Sequence, residues 1–230
     1  MASVHGQSSK RLIITIDGPS GAGKTSASKL LAQKLGYRYI DTGALYRAVA
    51  VAAHAEGIAA DDEKGLDALC RRISIDLQSS QAGLRVILNG RDITAEIRAP
   101  HISMLASAVS AKPVVRTFLL SLQRSLANQK GVVAEGRDMG TVVFPHAEAK
   151  FFLDADPHLR AQRRYEELKV QGKDAPNLES IEKDMIQRDR NDSTRSVAPL
   201  EPAADAVRID STTLSLEQVV ECMLNHVARI

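Results

Sequence analysis

The sequence predicts an α/β fold in which a five-stranded parallel sheet is flanked by helices. Short apolar segments, the first at residues 12–16 and the last at residues 207–210, alternate with stretches whose apolar residues recur at helical spacing. Strands that are buried on both faces read as apolar runs, which is typical of a parallel sheet covered by helices. With 230 residues, of which 44% are hydrophobic, the chain can bury a substantial core. We expect one α/β domain with insertions, or one and a half domains.

A glycine-rich loop follows the first predicted strand. Residues 18–25 read GPSGAGKT, the G-x-x-x-x-G-K-[ST] pattern of a phosphate-binding P-loop, and a helical pattern follows them. The glycines allow successive backbone N–H groups to turn toward one anion, and the helix N-terminus adds positive potential. The predicted sheet is therefore of the P-loop NTPase type, with an ATP or GTP site at its edge.

The side chains of this loop have expected roles. Lys24 is expected to reach the outer phosphates, and Thr25 offers a hydroxyl toward Mg²⁺. The alternative is a glycine-rich turn that contains a lysine by chance. This alternative is disfavoured because both glycines, the lysine and the threonine stand at the spacing of the motif, directly after a predicted strand. The predicted nucleotide-binding residues are Gly18, Pro19, Ser20, Gly21, Ala22, Gly23, Lys24, Thr25 and Ser26.

Composition argues against several classes of partner. A net charge of +2 and 3% aromatic residues without tryptophan leave little surface for a polynucleotide. No run approaches the ~18 apolar residues of a membrane helix. The two cysteines, Cys70 and Cys222, lie far apart in helical patterns, which indicates neither a disulfide framework nor a metal site. We expect no nucleic acid and no membrane partner, and a cytoplasmic monomer with a disordered tail over residues 1–10.

The first half of the chain contains candidates for a second binding region. Asp41 and Thr42 follow a short predicted strand and open a helix that carries Arg47. Simple helix capping is the alternative interpretation, since both residue types favour that position. Residues 65–110 include alternating apolar residues and the hairpin turn Asn89-Gly90, which interrupt the alternation of strands and helices. We expect a small inserted α+β subdomain there, with a longer irregular connection as the alternative.

A second cluster of charges lies at the carboxyl end of a predicted strand. Residues 132–134 form a short apolar run, and Glu135, Gly136, Arg137 and Asp138 follow it directly. Open α/β sheets bind ligands at the carboxyl ends of their strands. These side chains are therefore expected near the P-loop.

Arginines on later helices add positive charge to the same edge. The helix that begins at Asp156-Pro157 carries arginines at i, i+3 and i+4, and a second charged helix is predicted over about residues 178–190. Seven arginines are thus expected to converge on one phosphate site: Arg47, Arg137, Arg160, Arg163, Arg164, Arg188 and Arg195. That is more than triphosphate binding needs, and it suits an enzyme that neutralises a second phosphorylated substrate and a migrating phosphoryl group. A solvated helix face is the alternative for each cluster alone.

At this point the chain resembles the nucleoside monophosphate kinases, and most closely the bacterial cytidylate kinases. The similar blocks, in order, read GPSGAGKT, DTGALYR, NGRDITAEIR, AEGRDMGTVVFP, RAQRR and RDRNDSTRSVAPLEPAADAVRIDSTTLS. They lie within residues 11–226, and NGRDITAEIR and EGRDMGTVVFP are far more specific than the P-loop. The resemblance implies a kinase domain over residues 11–230, with a mobile monophosphate-binding subdomain at about 65–110 and a short lid at about 157–175.

The resemblance also implies an activity and its residues. It implies transfer of the γ-phosphoryl group of ATP to CMP or dCMP, in pyrimidine nucleotide metabolism. Mg²⁺ would be met through Thr25 or Ser26 and water, with no direct metal ligand predicted. The implied catalytic residues are Lys24, Arg137, Arg160, Arg163, Arg164 and Arg188. The implied substrate-binding residues are Thr42, Arg47, Ser107, Arg116, Arg137, Asp138, Arg188, Asp192 and Arg195, of which Ser107, Arg116 and Asp138 would address the cytosine.

Two other functions are alternatives on the sequence alone. A P-loop kinase of another small molecule, such as shikimate or a sugar acid, would keep the P-loop and the lid arginines without the cytosine-facing residues. A GTP-binding switch protein would need guanine-selective residues, and the sequence has no N-K-x-D segment.

Overall fold

The computed structural model describes residues 11–80, 83–170 and 177–230. The strands are β1 Ile13–Asp17, β2 Arg38–Asp41, β3 Ile75–Ser80, β4 Gly83–Leu88, β5 Arg91–Asp92, β6 Val132–Gly136, β7 Ala149–Asp154 and β8 Val207–Asp210. The α-helices are α1 Lys24–Leu35, α2 Thr42–Ala55, α3 Glu63–Cys70, α4 Pro100–Ser110, α5 Pro113–Ser125, α6 Pro157–Val170, α7 Leu178–Thr194 and α8 Leu216–Val227. The predicted tail at residues 1–10 and the end of the predicted lid, residues 171–175, lie outside the described residues.

Five of the described strands form one parallel sheet in the order β2-β6-β1-β7-β8. The predicted α/β fold, with a five-stranded parallel sheet flanked by helices, is confirmed. The last residue of β1, Asp17, pairs with Gly136 of β6. The P-loop and the charged segment that begins near Gly136 therefore leave the sheet side by side at its carboxyl edge.

Glycine at two positions allows the loop after β1 to take its path. Gly18 has a φ of 145°, and a Cβ there would lie 1.9 Å from the carbonyl oxygen of Leu153 on β7. Gly23 has a φ of 86° and is the N-cap of α1, so Lys24 is the first residue of that helix. The loop thus passes close to β7 and presents the N-terminus of α1 to the sheet edge.

β3, β4 and β5 form a separate antiparallel sheet within the stretch predicted as an insertion. Asn89 and Gly90 both have positive φ, 50° and 79°, as a tight two-residue hairpin turn requires. The small sheet contributes Val86 and Leu88 to a core that it shares with α2, α3, α4 and α5. It is therefore packed against the helices that follow the P-loop region, where it can form one side of a cleft.

α7 is longer than its sequence pattern predicts. The predicted end at about residue 190 is wrong, because the helix continues to Thr194. The last turn is polar and lacks the apolar periodicity that marks a helix, and buried Asp192 holds it to the rest of the protein. Arg188 and Asp192 consequently lie one helical turn apart on the same face.

Among the described helices, none is by itself long and apolar enough to cross a membrane. The consecutive helices His101–Ser110 and Pro113–Ser125 meet the same criterion of length and composition only as a pair, and they are bent by 95°.

Candidate active site

A cleft of about 990 Å³ lies between the P-loop, the carboxyl edge of the sheet and helices α2, α4, α6 and α7. Most of the predicted site residues line it: Ser20, Gly21, Ala22, Gly23, Lys24, Thr25, Ser26, Thr42, Arg47, Ser107, Arg116, Arg137, Asp138, Arg163, Arg164, Arg188, Asp192 and Arg195. The predicted residues Gly18, Pro19 and Arg160 are not among the residues that line it. The structure thus brings the P-loop and the predicted substrate-binding residues to one shared space.

Lys24 lies at the P-loop end of the cleft and is buried, with 7% of its surface exposed. Its Nζ donates to the carbonyl oxygen of Pro19 at 2.6 Å, which folds the side chain back along the loop. Burial first, and then the nearby Arg137 guanidinium, lower the pKa of Lys24 to about 7, although Glu135 has the opposite effect. Lys24 is therefore ready to gain a proton when an anion enters the loop.

We expect ATP binding at pH 8.5 to take up about one proton per site. At that pH, free Lys24 is mostly deprotonated because its pKa is about 7. A triphosphate beside Nζ favours the charged form and so raises the pKa above the solution pH. Titration calorimetry in two buffers with different ionisation enthalpies measures the uptake. A Lys24→Met variant should bind ATP without it, and the same uptake in that variant would assign the proton to another group.

Glu135 lies at the end of β6, and the sequence placed it in the charged cluster without a role. It is buried and accepts a hydrogen bond from Thr25 Oγ1 at 2.8 Å and another from Tyr39 Oη. Burial raises the pKa of Glu135, and the neighbouring Asp41 adds to the effect. The backbone carbonyl of Glu135 accepts from Thr42 Oγ1 at 2.7 Å. This one residue therefore joins the P-loop threonine to the predicted monophosphate side of the cleft.

Asp17, which also had no predicted role, ties β1 to the segment after β6. Its two carboxylate oxygens accept from the backbone N–H groups of Met139 and Gly140, each at 2.8 Å. These donors belong to a short π-helical turn, Met139–Val143. Burial raises the pKa of Asp17 to about 7, while the two N–H groups lower it. The contact fixes Asp138, which directly precedes this turn, relative to the P-loop.

Arg116 and Asp138 form a buried ion pair at the far end of the cleft, with 9% and 3% of their side chains exposed. Arg195 Nη2 lies 4.0 Å from the second carboxylate oxygen of Asp138. Burial raises the pKa of Asp138, while Arg116 and then Arg195 oppose it by favouring the charged form. Arg116 also donates to the carbonyl of Ser110 at 3.1 Å and lies 5.6 Å from the ring centre of Tyr46. A carboxylate and a guanidinium thus stand side by side in fixed orientations.

Asp192 connects two other predicted residues across the cleft. It accepts from Arg137 Nε at 3.0 Å and from Ser107 Oγ at 3.3 Å. Arg188, one turn earlier on α7, has a buried Nε without a hydrogen-bond partner among the described residues. Burial lowers the pKa of Arg188 to about 10, and the Arg137 guanidinium adds to the effect. A phosphate in this part of the cleft would supply the missing acceptor and the missing negative charge.

Asp41 caps helix α2 and also lies beside the cleft, where it binds Arg47. Asp41 Oδ1 accepts from the N–H of Ala44 at 3.1 Å, so it is the N-cap of α2, as the capping interpretation predicts. Its other oxygen accepts from Arg47 Nη2 at 2.7 Å. The guanidinium of Arg47 is thereby held at the cleft, where it is a quarter exposed.

The three lid arginines of α6 have different surroundings. Arg160 is buried, and it bonds to the backbone of Ser20 in the P-loop and to Asp189 of α7. It is not among the residues that line the cleft, so its convergence on the phosphate site stays a prediction. Arg163 lines the cleft while donating to the hydroxyl and the carbonyl of Ser211 at 3.2 and 2.9 Å. Arg164 lines the cleft and pairs with the exposed Glu167. Helical spacing predicted that the three arginines lie on one face of α6. It did not predict the hydrogen-bond partners of Arg160 and Arg163, which belong to other segments of the chain.

The sequence matches the protein family described as Cytidylate kinase over residues 14–229. It is 53% identical over 219 residues to a cytidylate kinase of Syntrophotalea carbinolica, covering 95% of this chain and 93% of that protein. It is 52% identical over 212 residues to a cytidylate kinase of a Geobacter species, covering 92% and 91%. Among solved structures, an uncharacterized protein from Eubacterium ventriosum aligns with a TM-score of 0.52 at 11% identity, covering 96% of this chain and all of that chain, which is a likeness of fold alone.

The fold and the cleft define the class of protein. A P-loop at the edge of a parallel sheet, opposite a cluster of arginines and buried carboxylates, is the arrangement of a P-loop phosphotransferase. The matches to known sequences extend over nearly the whole chain, and they identify the family within this class. The chain belongs to the cytidylate kinase family.

Proposed function

We propose that this protein transfers the γ-phosphoryl group of ATP to the 5′-phosphate of CMP or dCMP, giving ADP and CDP or dCDP. The observation that carries the proposal is the shared cleft, with the P-loop at one end and the Arg116–Asp138 pair at the other. Between them lie cations, including the partly buried Arg137 and Arg188, near enough to Lys24 to lower its pKa. Such a space suits two phosphate groups that face each other.

The reaction in this cleft is a direct, in-line transfer. An oxygen of the monophosphate attacks the γ-phosphorus, the bond to the bridging oxygen breaks, and ADP leaves with that electron pair. The attacking oxygen is already anionic near neutral pH, so no strong general base is needed. Lys24 would bind the donor phosphates, while Arg137 and Arg188 would stabilise the charge between donor and acceptor.

The oxygen donors beside the P-loop fit a magnesium ion. Thr25 is an exposed residue, and its hydroxyl donates to the Glu135 carboxylate at 2.8 Å. Mg²⁺ prefers oxygen ligands and is commonly bound through few protein groups together with substrate phosphates and water. Of the two candidates, Thr25 and Ser26, the contact with Glu135 favours Thr25. When bound with ATP, the ion would neutralise charge on the donor phosphates.

The acceptor end has the groups that a cytosine ring requires. Asp138 can accept from the N4 amino group, Arg116 can donate to N3 or O2, and Ser107 can do either. Arg188, Asp192 and Arg195 would then bind the phosphate and the ribose, with Thr42 and Arg47 near the phosphate. The proposed monophosphate-binding subdomain at residues 65–110 and the proposed lid at 157–175 would enclose the two nucleotides and exclude water.

The proposed setting is the cytoplasm, with the protein acting as a monomer on small nucleotides. Both cysteines in the described residues are unpaired, which suits a reducing compartment. No nucleic acid or membrane takes part in the proposed reaction.

A coupled assay of ADP release tests the function. With ATP present, ADP should form only when CMP or dCMP is added. Shikimate and gluconate should not replace the monophosphate. ADP formation with either of these and not with CMP would indicate a kinase of another small molecule, and hydrolysis of GTP alone would indicate a switch protein.

We expect the lid arginines to act mainly in the transition state. Changing Arg160, Arg163 or Arg164 singly to Ala should, for at least one of them, lower kcat by ~10-fold or more while KM for ATP rises less. The reason is that a lid closes over bound nucleotide and adds its charge to the migrating phosphoryl group. Steady-state kinetics with varied ATP measures both constants. Three variants within about twofold of the unchanged protein would favour a solvated helix face.

A further inference from the structure

The backbone of Ser20, in the middle of the P-loop, is bonded on both sides by side chains of α6 and α7. Asp189 Oδ1 accepts from the Ser20 N–H at 3.3 Å, and Arg160 Nη1 donates to the Ser20 carbonyl at 2.9 Å. The same Nη1 donates to Asp189 Oδ2 at 2.5 Å, which closes a ring of three residues. Arg160 Nε donates to the carbonyl of Ala155 at 3.0 Å and so anchors this ring to the end of β7.

Close packing accompanies these polar contacts. A Cβ on the next P-loop residue, Gly21, would lie 2.7 Å from Met185 Cε and 3.0 Å from Arg160 Cβ. Met185 belongs to a small apolar cluster formed between α6 and α7, together with Ala161 and Ile181. The two helices therefore meet the P-loop as one unit, in which Asp189 and Arg160 make the charged contacts.

Asp189 directly follows Arg188, which the proposed reaction needs in the cleft. Arg188 is partly buried near Arg137 and Arg47, and both lower its pKa, so like charges around it oppose its position. Something else must hold this part of α7 in place. Asp192, three residues after Asp189, binds Arg137 on the acceptor side. Asp189 binds Ser20 and Arg160 on the donor side. The part of α7 that carries Arg188 is therefore fixed to both the donor side and the acceptor side of the cleft.

We infer that Asp189 is a positioning residue, which sets Arg188 relative to the P-loop by clasping Ser20 together with Arg160. The inference rests on the proposed phosphoryl transfer, since it assigns a task to Arg188 there. Asp189 itself is not among the residues that line the cleft. Arg160 is its partner in the clasp, so the direct contact with the migrating phosphate that is expected of a lid arginine would fall to Arg163 or Arg164. Misplacing a charge by about 1 Å can reduce a rate by up to ~100-fold, so the clasp matters for the rate of transfer.

The test is a double-mutant cycle of Asp189→Asn and Arg188→Ala, with kcat measured at saturating ATP and CMP. Asp189→Asn alone should lower kcat by ~10-fold or more, with a smaller rise in KM for CMP. In the Arg188→Ala background the same change should have little further effect, because the residue it positions is gone. An equal loss in both backgrounds would overturn the inference and indicate a merely structural role, as would Asp189→Asn activity within about twofold of the unchanged protein.

Two further variants sharpen the result. Arg160→Gln combined with Asp189→Asn should be no slower than the slower single variant, because both break one clasp; a multiplied loss would contradict this. Glu182→Gln is the matched control, since Glu182 joins α7 to His158 of α6 at 2.9 Å without touching the P-loop. It should leave kcat unchanged, and a loss equal to that of Asp189→Asn would assign the effect to helix pairing in general. If the protein without any substitution forms no ADP when CMP is added, the proposed function itself is refuted.

Discussion

Lys24→Ala is expected to lower kcat by at least ~100-fold, which corresponds to about 2.7 kcal/mol of transition-state stabilisation. The physical reason is the position of Lys24 as first residue of α1, in a buried part of the cleft where a positive charge acts strongly. The protein should fold as before, because burial already disfavours the charged form of this side chain in the free state. Steady-state kinetics and a thermal melting curve measure the two effects.

Lys34→Ala is the matched control for this experiment. Lys34 lies in the last turn of the same helix, is exposed, and is remote from the cleft lining. It should keep near-normal turnover. A Lys24→Ala protein with normal turnover and an unchanged melting curve would remove the P-loop from the chemistry.

CMP is expected to exceed UMP in kcat/KM by at least ~100-fold, and Asp138→Ala should erode most of that ratio. Cytosine presents an amino group at N4 and an acceptor at N3, which match Asp138 and Arg116. Uracil would set its O4 against the carboxylate and its N3–H against the guanidinium. A buried charge without a matching partner costs several kcal/mol, so Asp138→Ala should damage the use of CMP much more than that of UMP.

The ratio is the proper measurement because Asp138→Ala also leaves Arg116 buried without its anion. Removing one partner of a buried pair destabilises a protein by about 3–5 kcal/mol, so both substrates will suffer from a smaller folded fraction. Both kcat/KM values come from the same preparation, and that loss cancels. Arg47→Ala is the control, since a group proposed to lie near the phosphate should affect CMP and UMP alike. An unchanged ratio in Asp138→Ala would show that the carboxylate does not read the base.

Local patterns were enough to predict the parallel sheet and the P-loop. These patterns each extend over only a few residues, so they can be recognised in a sequence. They are apolar strand segments, turn residues such as Asn89 and Gly90, and helical periodicity. The end of α7 was predicted wrongly because residues 191–194 are polar, and tertiary contacts of Asp192 decide their conformation. The π-helical turn after Asp138 was not predicted, since its N–H groups bond to Asp17, 122 residues away for the first of them.

The site shows the same division between local and distant information. Most of the residues that the motifs predicted line the cleft, and so do Ser107 and Arg116, which the family resemblance supplied. The contacts of Glu135 with Thr25 and of Asp189 with Ser20 join segments 110 and 169 residues apart. The spacing of residues along the sequence does not predict contacts between segments so far apart. The burial of Lys24 and Arg188, which sets their pKa values, likewise depends on the packed structure.

The most direct test of the central claim is a phosphorus NMR time course of the protein with ATP, Mg²⁺ and CMP. Direct transfer predicts that the signals of CDP and ADP grow in equal amounts, that inorganic phosphate stays at background, and that nothing changes when CMP is left out. Release of inorganic phosphate without CDP would contradict the account, because it would show that water, and not the monophosphate, accepts the γ-phosphoryl group.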